Sequence, residues 1–174
     1  GMIFEYGHTI SHAIEKTYGD GVVPHGLGVT YGMLACSFAS EKLGLMTPEA
    51  REEHDALCRL LIMRWPLPRP LPSAEEVMMR AMKDSKRGIT SEAADEISDV
   101  LLRKMGDVVP TSTSMLSKFP STLFFDWLVS MDFAPGDGEG QMVQASSASV
   151  QTAPMSKPVA KVLAGSGEAP ELLA

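Results

Sequence analysis

Apolar residues recur every three to four positions along most of the first 131 residues, the spacing typical of helices that pack through one face. One segment, residues 28–43, is apolar on nearly all sides, as expected of a buried central helix. The pattern predicts helices over residues 3–17, 28–43, 48–63, 74–83 and 114–131, with an interruption at Pro120. Residues 100–102 fit a short strand, although the sequence after them would continue equally well as helix. We therefore predict a mainly α domain.

Local signals define several helix ends. Thr47 precedes Pro48, a capping hydroxyl followed by a proline suited to the first turn. Ser73 and Glu76 have the spacing of a capping box. Residues 65–72 contain four prolines and cannot be helical. We interpret them as a stiff connection, the alternative being a polyproline ligand.

The composition changes after residue 133. Residues 134–174 are rich in Gly, Ser, Ala, Pro and Gln and contain no aromatic residue. Such a segment cannot bury enough apolar surface to offset the entropy of ordering it. We predict a helical metal- and substrate-binding domain at residues 1–133, followed by a disordered low-complexity tail at 134–174.

Charge and hydropathy exclude several classes of function. The net charge is −7, whereas nucleic-acid binding requires clustered Lys and Arg, so we expect no nucleic-acid partner. No apolar run approaches the roughly 20 residues needed to span a bilayer, and no leader pattern opens the chain. We expect a cytoplasmic protein without membrane contact. Residues 1–4 lead directly into the densest group of polar residues, so we expect the chain to be part of a longer protein.

That group contains three of the four histidines. If residues 5–16 are helical, Glu5, His8 and His12 lie along one face, and a glycine-containing loop returns His25 to them. Imidazole and carboxylate are common ligands of divalent transition metals. The alternative is a set of partly buried structural histidines, but their concentration beside a glutamate favours a site.

The same residues resemble the metal-binding core of the sugar phosphate cyclases, the dehydroquinate synthase superfamily. The similarity spans about residues 3–106. Its matching positions are Gly7, His8, Thr9, His12, Ala13, Glu15, His25, Gly26, Val29, Gly32, Met33, 84–88 and 101–106. The resemblance implies the helical C-terminal domain of that fold. The nucleotide-binding half would be missing, and no Gly-x-Gly-x-x-Gly motif follows a strand pattern here.

The resemblance also implies roles for individual residues. His8 and His25 would hold a divalent metal, zinc or cobalt, with a glutamate from the missing half, and His12 would face the substrate. Lys86 and Arg87, two adjacent cations in a loop, are candidates to bind the substrate phosphate, the alternative being a solvated basic turn. The resemblance favours the phosphate role for Lys86 and leaves Arg87 open. NAD would be bound mainly by the missing half, and the full-length enzyme would be a homodimer acting on a sugar phosphate.

One position indicates the subfamily. Phe-Glu-Tyr-Gly-His-Thr at 4–9 and Lys-Arg-Gly at 86–88 are most similar to the 2-deoxy-scyllo-inosose synthases, whereas dehydroquinate synthases usually have Asn in place of Glu5. A glutamate would repel a substrate carboxylate, which favours the neutral ring of glucose 6-phosphate and makes Glu5 a candidate catalytic residue. Leu27 stands where many members have Glu, so that acid is not available to His25.

Two other functions fit the sequence. One is a 3-dehydroquinate synthase of the shikimate pathway, which shares most of the motif. The other belongs to a different class: a catalytically incomplete helical module that binds metal or a partner. The chain alone lacks the cofactor half, so in either case we expect it to be inactive by itself.

Overall fold

The structure is a computed structural model that describes residues 2–83, 93–111 and 115–133. A 3-10 turn at Met2–Glu5 precedes the first helix. The described elements are α1 (His8–Tyr18), α2 (His25–Lys42), α3 (Pro48–Arg64), α4 (Ala74–Ala81), β1 (Glu96–Asp99), β2 (Leu102–Lys104), β3 (Asp107–Val108), β4 (Ser117–Pro120) and α5 (Thr122–Ser130). The predicted mainly α architecture is confirmed.

Helix α2 is the centre of the domain, as its apolar pattern predicts. It packs against α1, α3 and α5, and α1 also contacts α4. The shared core includes fully buried side chains from four helices: Ile10, Ile14, Ala35, Ala39, Val77, Phe124 and Leu128. Two small antiparallel sheets, β1 with β4 and β2 with β3, lie beside these helices.

A backbone contact fixes how α1 approaches α2. Gly7 lies just before α1 with φ of 78°, a left-handed conformation that favours glycine. A Cβ atom added to Gly32, in the middle of α2, would lie only 1.8 Å from the carbonyl oxygen of Gly7. The two backbones meet where neither residue has a side chain, so α1 begins against the middle of α2.

This contact corrects the predicted first helix. The helix does not run from residue 3, because the left-handed Gly7 separates the 3-10 turn from α1. Glu5 therefore does not share a helical face with His8 and His12, and that part of the prediction is wrong. Helix α2 also begins earlier than predicted, at His25, which Pro24 precedes.

The predicted helix at 114–131 is half wrong. Residues Ser117–Pro120 form β4, which pairs with β1 so that Phe119 lies opposite Ile97. The side chains of β4 alternate between buried and exposed, which is the period of a strand. Helix α5 starts only at Thr122. The sequence leaves residues 100–102 open between strand and helix. In the structure, residues 100–101 link β1 to β2, and Leu102 is the first residue of β2.

The capping predictions are confirmed. Ala50 donates its backbone N–H to the Thr47 hydroxyl at 3.3 Å, and both hydrogen bonds of the Ser73–Glu76 capping box are present. The proline-rich stretch is non-helical and inserts Leu67 into the core. None of the described helices has the length and apolar character that a membrane crossing requires.

Contacts group residues 1–138 into one unit and 139–174 into a second. The predicted tail at 134–174 lies outside the described residues, so the division at residue 133 stays a prediction.

We expect Gly32→Ala to destabilise the domain, because its methyl group would overlap the Gly7 carbonyl and force the two backbones apart. The free energy of unfolding should fall by roughly 1–3 kcal/mol, the usual cost of overpacking. Urea unfolding followed by circular dichroism measures it.

Gly26→Ala is the matched control on the same helix, since a Cβ there meets nothing within 4 Å. It should leave stability unchanged or raise it by up to about 1 kcal/mol through helix propensity. Equal stability of the two variants would contradict the role given to the Gly7–Gly32 contact.

Candidate functional site

The structure brings together the three histidines of the N-terminal motif. His8 and His12 lie one turn apart on α1, and His25 is the first residue of α2. Their ring centroids are 5.5 Å apart for His8 and His12, 5.1 Å for His8 and His25, and 5.9 Å for His12 and His25. The sequence prediction that His25 returns to the α1 pair is therefore confirmed in the structure.

His8 is held through one of its two ring nitrogens. Nδ1 lies 3.3 Å from the backbone carbonyl oxygen of Tyr6. A carbonyl oxygen only accepts hydrogen bonds, so Nδ1 must carry the proton in this contact. Nε2 then keeps its lone pair, and it has no hydrogen-bond partner among the described residues.

His25 is held in the same way by a carboxylate. Its Nδ1 lies 2.9 Å from Oε1 of Glu15, which also accepts a 2.6 Å hydrogen bond from the Ser11 hydroxyl. Burial by itself would raise the pKa of Glu15, but the hydrogen bonds from Ser11 and His25 outweigh it and lower that pKa. The ionised carboxylate only accepts, so the proton of His25 lies on Nδ1 and Nε2 remains a donor atom for a metal.

A distant carboxylate fixes the start of α1. Asp99, fully buried at the end of β1, accepts the backbone N–H of Gly7 at 3.1 Å and that of Thr9 at 3.2 Å. The Thr9 hydroxyl donates to the Ser98 carbonyl at 3.0 Å. These bonds satisfy N–H groups that no residue within α1 can reach, and they suit the positive end of a helix dipole.

A second buried network holds Tyr6 from the other side. Its hydroxyl lies 3.0 Å from Nε2 of His54, whose Nδ1 donates to Asp55 at 2.8 Å. Asp55 also accepts from Ser37 at 2.6 Å. Burial raises the pKa of Tyr6, so its phenol stays protonated at neutral pH. His54 is only 4% exposed, although it lies in α3, a helix rich in charged residues.

The other predicted site residues are less well defined. Glu5 ends the 3-10 turn and is partly buried, and along the chain Gly7 separates it from the helix that carries His8 and His12. Lys86 and Arg87 lie outside the described residues. Among residues 2–83, 93–111 and 115–133, no group of three or more His, Cys, Asp or Glu side chains has an arrangement that could hold a metal. The roles of the predicted site residues therefore stay predictions.

Sequence reasoning missed three functional contributors. Glu15 had a local signal, because it follows Ser11 by four positions and His12 by three and so shares their face of the helix. Asp99 had none, since it acts on Gly7 and Thr9 about 90 positions away. Asp55 had none either, since it acts through His54, whose partner Tyr6 is 48 positions away. A carboxylate that caps a remote helix leaves no periodic pattern in its own segment.

The described fold and site define a helical domain that presents paired imidazoles at the crossing of its first two helices. The family model of the 3-dehydroquinate synthase C-terminal domain matches residues 1–87, half of the chain. The chain belongs to this family, which confirms the resemblance.

Two individual relatives support the same family assignment. The 2-deoxy-scyllo-inosose synthase of Streptomyces kanamyceticus is 35% identical over 126 residues, covering 71% of this chain and 31% of the relative. The 3-dehydroquinate synthase of Streptococcus mutans is 38% identical over 87 residues, covering 49% of this chain and 23% of that enzyme. The chain thus spans less than a third of the length of these curated relatives.

Solved structures support the fold. A crystal structure of 2-deoxy-scyllo-inosose synthase complexed with carbaglucose-6-phosphate, NAD+ and Co2+ aligns with a TM-score of 0.62 at 24% identity. The alignment covers 74% of this chain and 33% of that one. This likeness confirms the predicted dehydroquinate synthase-like fold of the helical domain.

The pKa of Asp55 predicts how the free energy of unfolding changes at acid pH. Burial alone would raise its pKa, but hydrogen bonds from His54 and Ser37 and the Arg51 guanidinium lower it below 3.8. Its stabilising contribution is therefore complete above pH ~4 and is lost as the pH falls through the lower folded-state value. Asp55→Asn should lower the free energy of unfolding at pH 7 by about 3 kcal/mol, the cost of breaking a buried charged pair.

Unfolding in urea between pH 7 and pH 2 measures this effect. The difference between Asp55→Asn and the unsubstituted chain should shrink below pH ~4, where the native carboxylate takes up its proton. Glu53→Gln, at an exposed position of the same helix, is the control and should change stability by less than about 0.5 kcal/mol. A difference that stays constant over the whole range would refute this account of Asp55.

Proposed function

We propose that this chain is the helical metal- and substrate-binding part of a sugar phosphate cyclase of the 2-deoxy-scyllo-inosose synthase type. The full protein would convert glucose 6-phosphate to 2-deoxy-scyllo-inosose with loss of phosphate, and so act as a carbon–oxygen lyase. The Streptomyces kanamyceticus relative and the motif at residues 4–9 support this substrate.

One observation carries the proposal. His8 and His25 lie with ring centroids 5.1 Å apart, and both have Nδ1 committed to an acceptor. Two imidazoles that are each held through Nδ1 and direct Nε2 away from that contact fit a divalent metal such as zinc or cobalt. The remaining ligands would come from substrate and from the nucleotide-binding half.

A metal bound there would supply Lewis acidity to the hydroxyl groups of the sugar. Within this chain, His8 and His25 would hold it. The ring of His12 lies 5.5 Å from that of His8 and 5.9 Å from that of His25. We assign it hydrogen bonding or proton transfer at a substrate hydroxyl. Lys86 and Arg87 would pair with the phosphate as charge-assisted donors.

Further partners complete the proposal. NAD would be bound mainly by the nucleotide-binding half, and the full-length enzyme would work as a homodimer in the cytoplasm. The crystal structure of a relative with NAD+, Co2+ and a sugar phosphate analogue supports these cofactors.

A second candidate is 3-dehydroquinate synthase activity. The Streptococcus mutans enzyme supports it, since its identity of 38% is slightly higher over a shorter segment. The two functions differ in whether the substrate has a carboxylate, and the charge of Glu5 separates them.

A third candidate is a helical module without catalytic activity. It is supported by the finding that the described residues contain no metal-holding group of three side chains. Such a module would bind cobalt weakly whether or not a nucleotide-binding half is present.

The histidine assignments predict two different phenotypes. In the chain joined to a nucleotide-binding half, His8→Ala and His25→Ala should weaken cobalt binding by more than the roughly 10–100-fold typical of an outer partner. His12→Gln should leave cobalt binding intact and lower turnover roughly 10²–10⁴-fold. Isothermal titration and phosphate release from glucose 6-phosphate measure the two effects, with Glu53→Gln as control.

If His12→Gln lost cobalt as strongly as His8→Ala, the separation of roles would be wrong. If the joined protein bound cobalt no more tightly than the chain alone and released no phosphate, the helical module would be the correct function.

The charge of Glu5 leads to a prediction about the substrate preference of the joined protein. Glu5→Asn in the same joined protein should raise kcat/KM for the carboxylate-bearing heptulosonate phosphate relative to glucose 6-phosphate by roughly tenfold or more, because a repulsive charge is removed. Glu52→Gln, an exposed acid on α3, is the charge-matched control. An unchanged ratio of the two kcat/KM values would argue against the subfamily assignment.

A further inference from the structure

His25 is the most weakly enclosed part of the site. Its side chain is 54% exposed, so packing does little to choose its rotamer. The residues next to it along the chain, Val23, Pro24, Gly26 and Leu27, have no side-chain hydrogen-bonding group. Whatever orients this ring must come from another element.

We propose that Glu15 is the positioning residue that fixes His25, holding its proton on Nδ1 and leaving Nε2 for the metal. The proposal rests on the proposed metal-binding function for its purpose, but its structural content concerns this chain alone. Among the described residues, Glu15 makes the only hydrogen bond to the His25 ring, at 2.9 Å.

Glu15 is itself well constrained. The Ser11 hydroxyl, one turn earlier on α1, donates to the same Oε1 atom at 2.6 Å. The carboxylate therefore reaches across from α1 to the first residue of α2 with its orientation already fixed by its own helix.

Gly28 leaves the space in which this happens. A Cβ atom at that position would lie 2.7 Å from the Ser11 hydroxyl and 2.9 Å from Oε1 of Glu15. The missing side chain one turn after His25 thus lets the carboxylate enter the crossing of the two helices. Ser11, Glu15, Gly28 and His25 form one unit, in which each member is needed for the geometry of the next.

The chemistry follows from the acceptor. An ionised carboxylate has no proton to donate, so Glu15 can only accept. Nδ1 of His25 must then donate, which leaves the lone pair on Nε2. Partners of this kind typically fix both the tautomer and the ring direction of a metal-bound histidine.

The first experiment needs no metal. Long-range ¹H–¹⁵N correlation spectra of the metal-free chain at pH 7.5 report which nitrogen of His25 carries the proton. We expect the Nδ1–H form in the unsubstituted chain and in Glu15→Gln, which keeps a carbonyl acceptor. In Glu15→Ala the spectrum should shift toward the Nε2–H form, while Glu53→Ala, the exposed control, should not change it.

The second experiment adds cobalt as the probe. In the chain joined to a nucleotide-binding half, Glu15→Ala should weaken cobalt binding roughly 10–100-fold. Glu15→Gln should recover most of the lost affinity, and the cobalt absorption bands should differ between the Ala variant and the unsubstituted protein. Circular dichroism checks that the variants are folded. If Glu15 had a purely structural role, a folded Glu15→Ala variant would keep the cobalt bands of the unsubstituted protein.

The outcomes separate this proposal from the one it builds on. An Nε2–H tautomer of His25 in the unsubstituted chain would overturn the role of Glu15, as would full cobalt affinity in a folded Glu15→Ala. If Glu15→Ala did not fold, the His25 tautomer in the unsubstituted chain and in Glu15→Gln would still test the role of Glu15, since the Nδ1–H form is expected in both. An Nδ1–H tautomer in a protein that binds no cobalt would support the Glu15 contact and contradict the metal-binding function.

Discussion

The site depends on the close contact between two glycines, Gly7 and Gly32. Their backbones meet at a distance that leaves no room for a side chain on either, and Gly7 adopts a left-handed conformation to turn the chain into α1. His8 is the next residue, so its position relative to α2 follows directly from this contact. Because packed interiors resist small volume changes, a single methyl group added at Gly32 would also displace the imidazole of His8, which follows Gly7.

Two remote elements hold the same short segment. Asp99 of β1 binds the first N–H groups of α1, and His54 of α3 binds the phenol of Tyr6. The Tyr6 carbonyl in turn accepts from His8. Buried polar groups of this kind are costly unless fully hydrogen-bonded, and here the bonds that satisfy them also fix an imidazole. Stability and site geometry are therefore supplied by the same interactions.

The parts of the fold that the sequence predicts are those with local causes. The apolar period gives the helices, Thr47 and Ser73 give two helix starts, and the spacing of His8 and His12 gives one helical pair. What it fails to predict depends on contacts between distant segments. The left-handed Gly7 ends a pattern that would continue as helix, and Ser117–Pro120 becomes a strand because β1 is available to pair with it. Asp99 and His54 gain their roles only through partners that the fold supplies, and no local pattern records them.

The arrangement of donors fits the proposal that the chain contributes part of a metal site. Helices α1 and α2 supply His8 and His25, both held through Nδ1. Glu15, the carboxylate that contacts His25 among the described residues, is occupied as an acceptor for Ser11 and His25. A carboxylate that orients a histidine in this way is not free to be a ligand as well. A metal held by two imidazoles keeps open positions for substrate oxygens, as catalytic metals require, and needs at least one further protein ligand to be bound tightly. The chain spans 31% and 23% of the two relatives described above, so under the proposed function that ligand would come from the part of such an enzyme that the chain does not span.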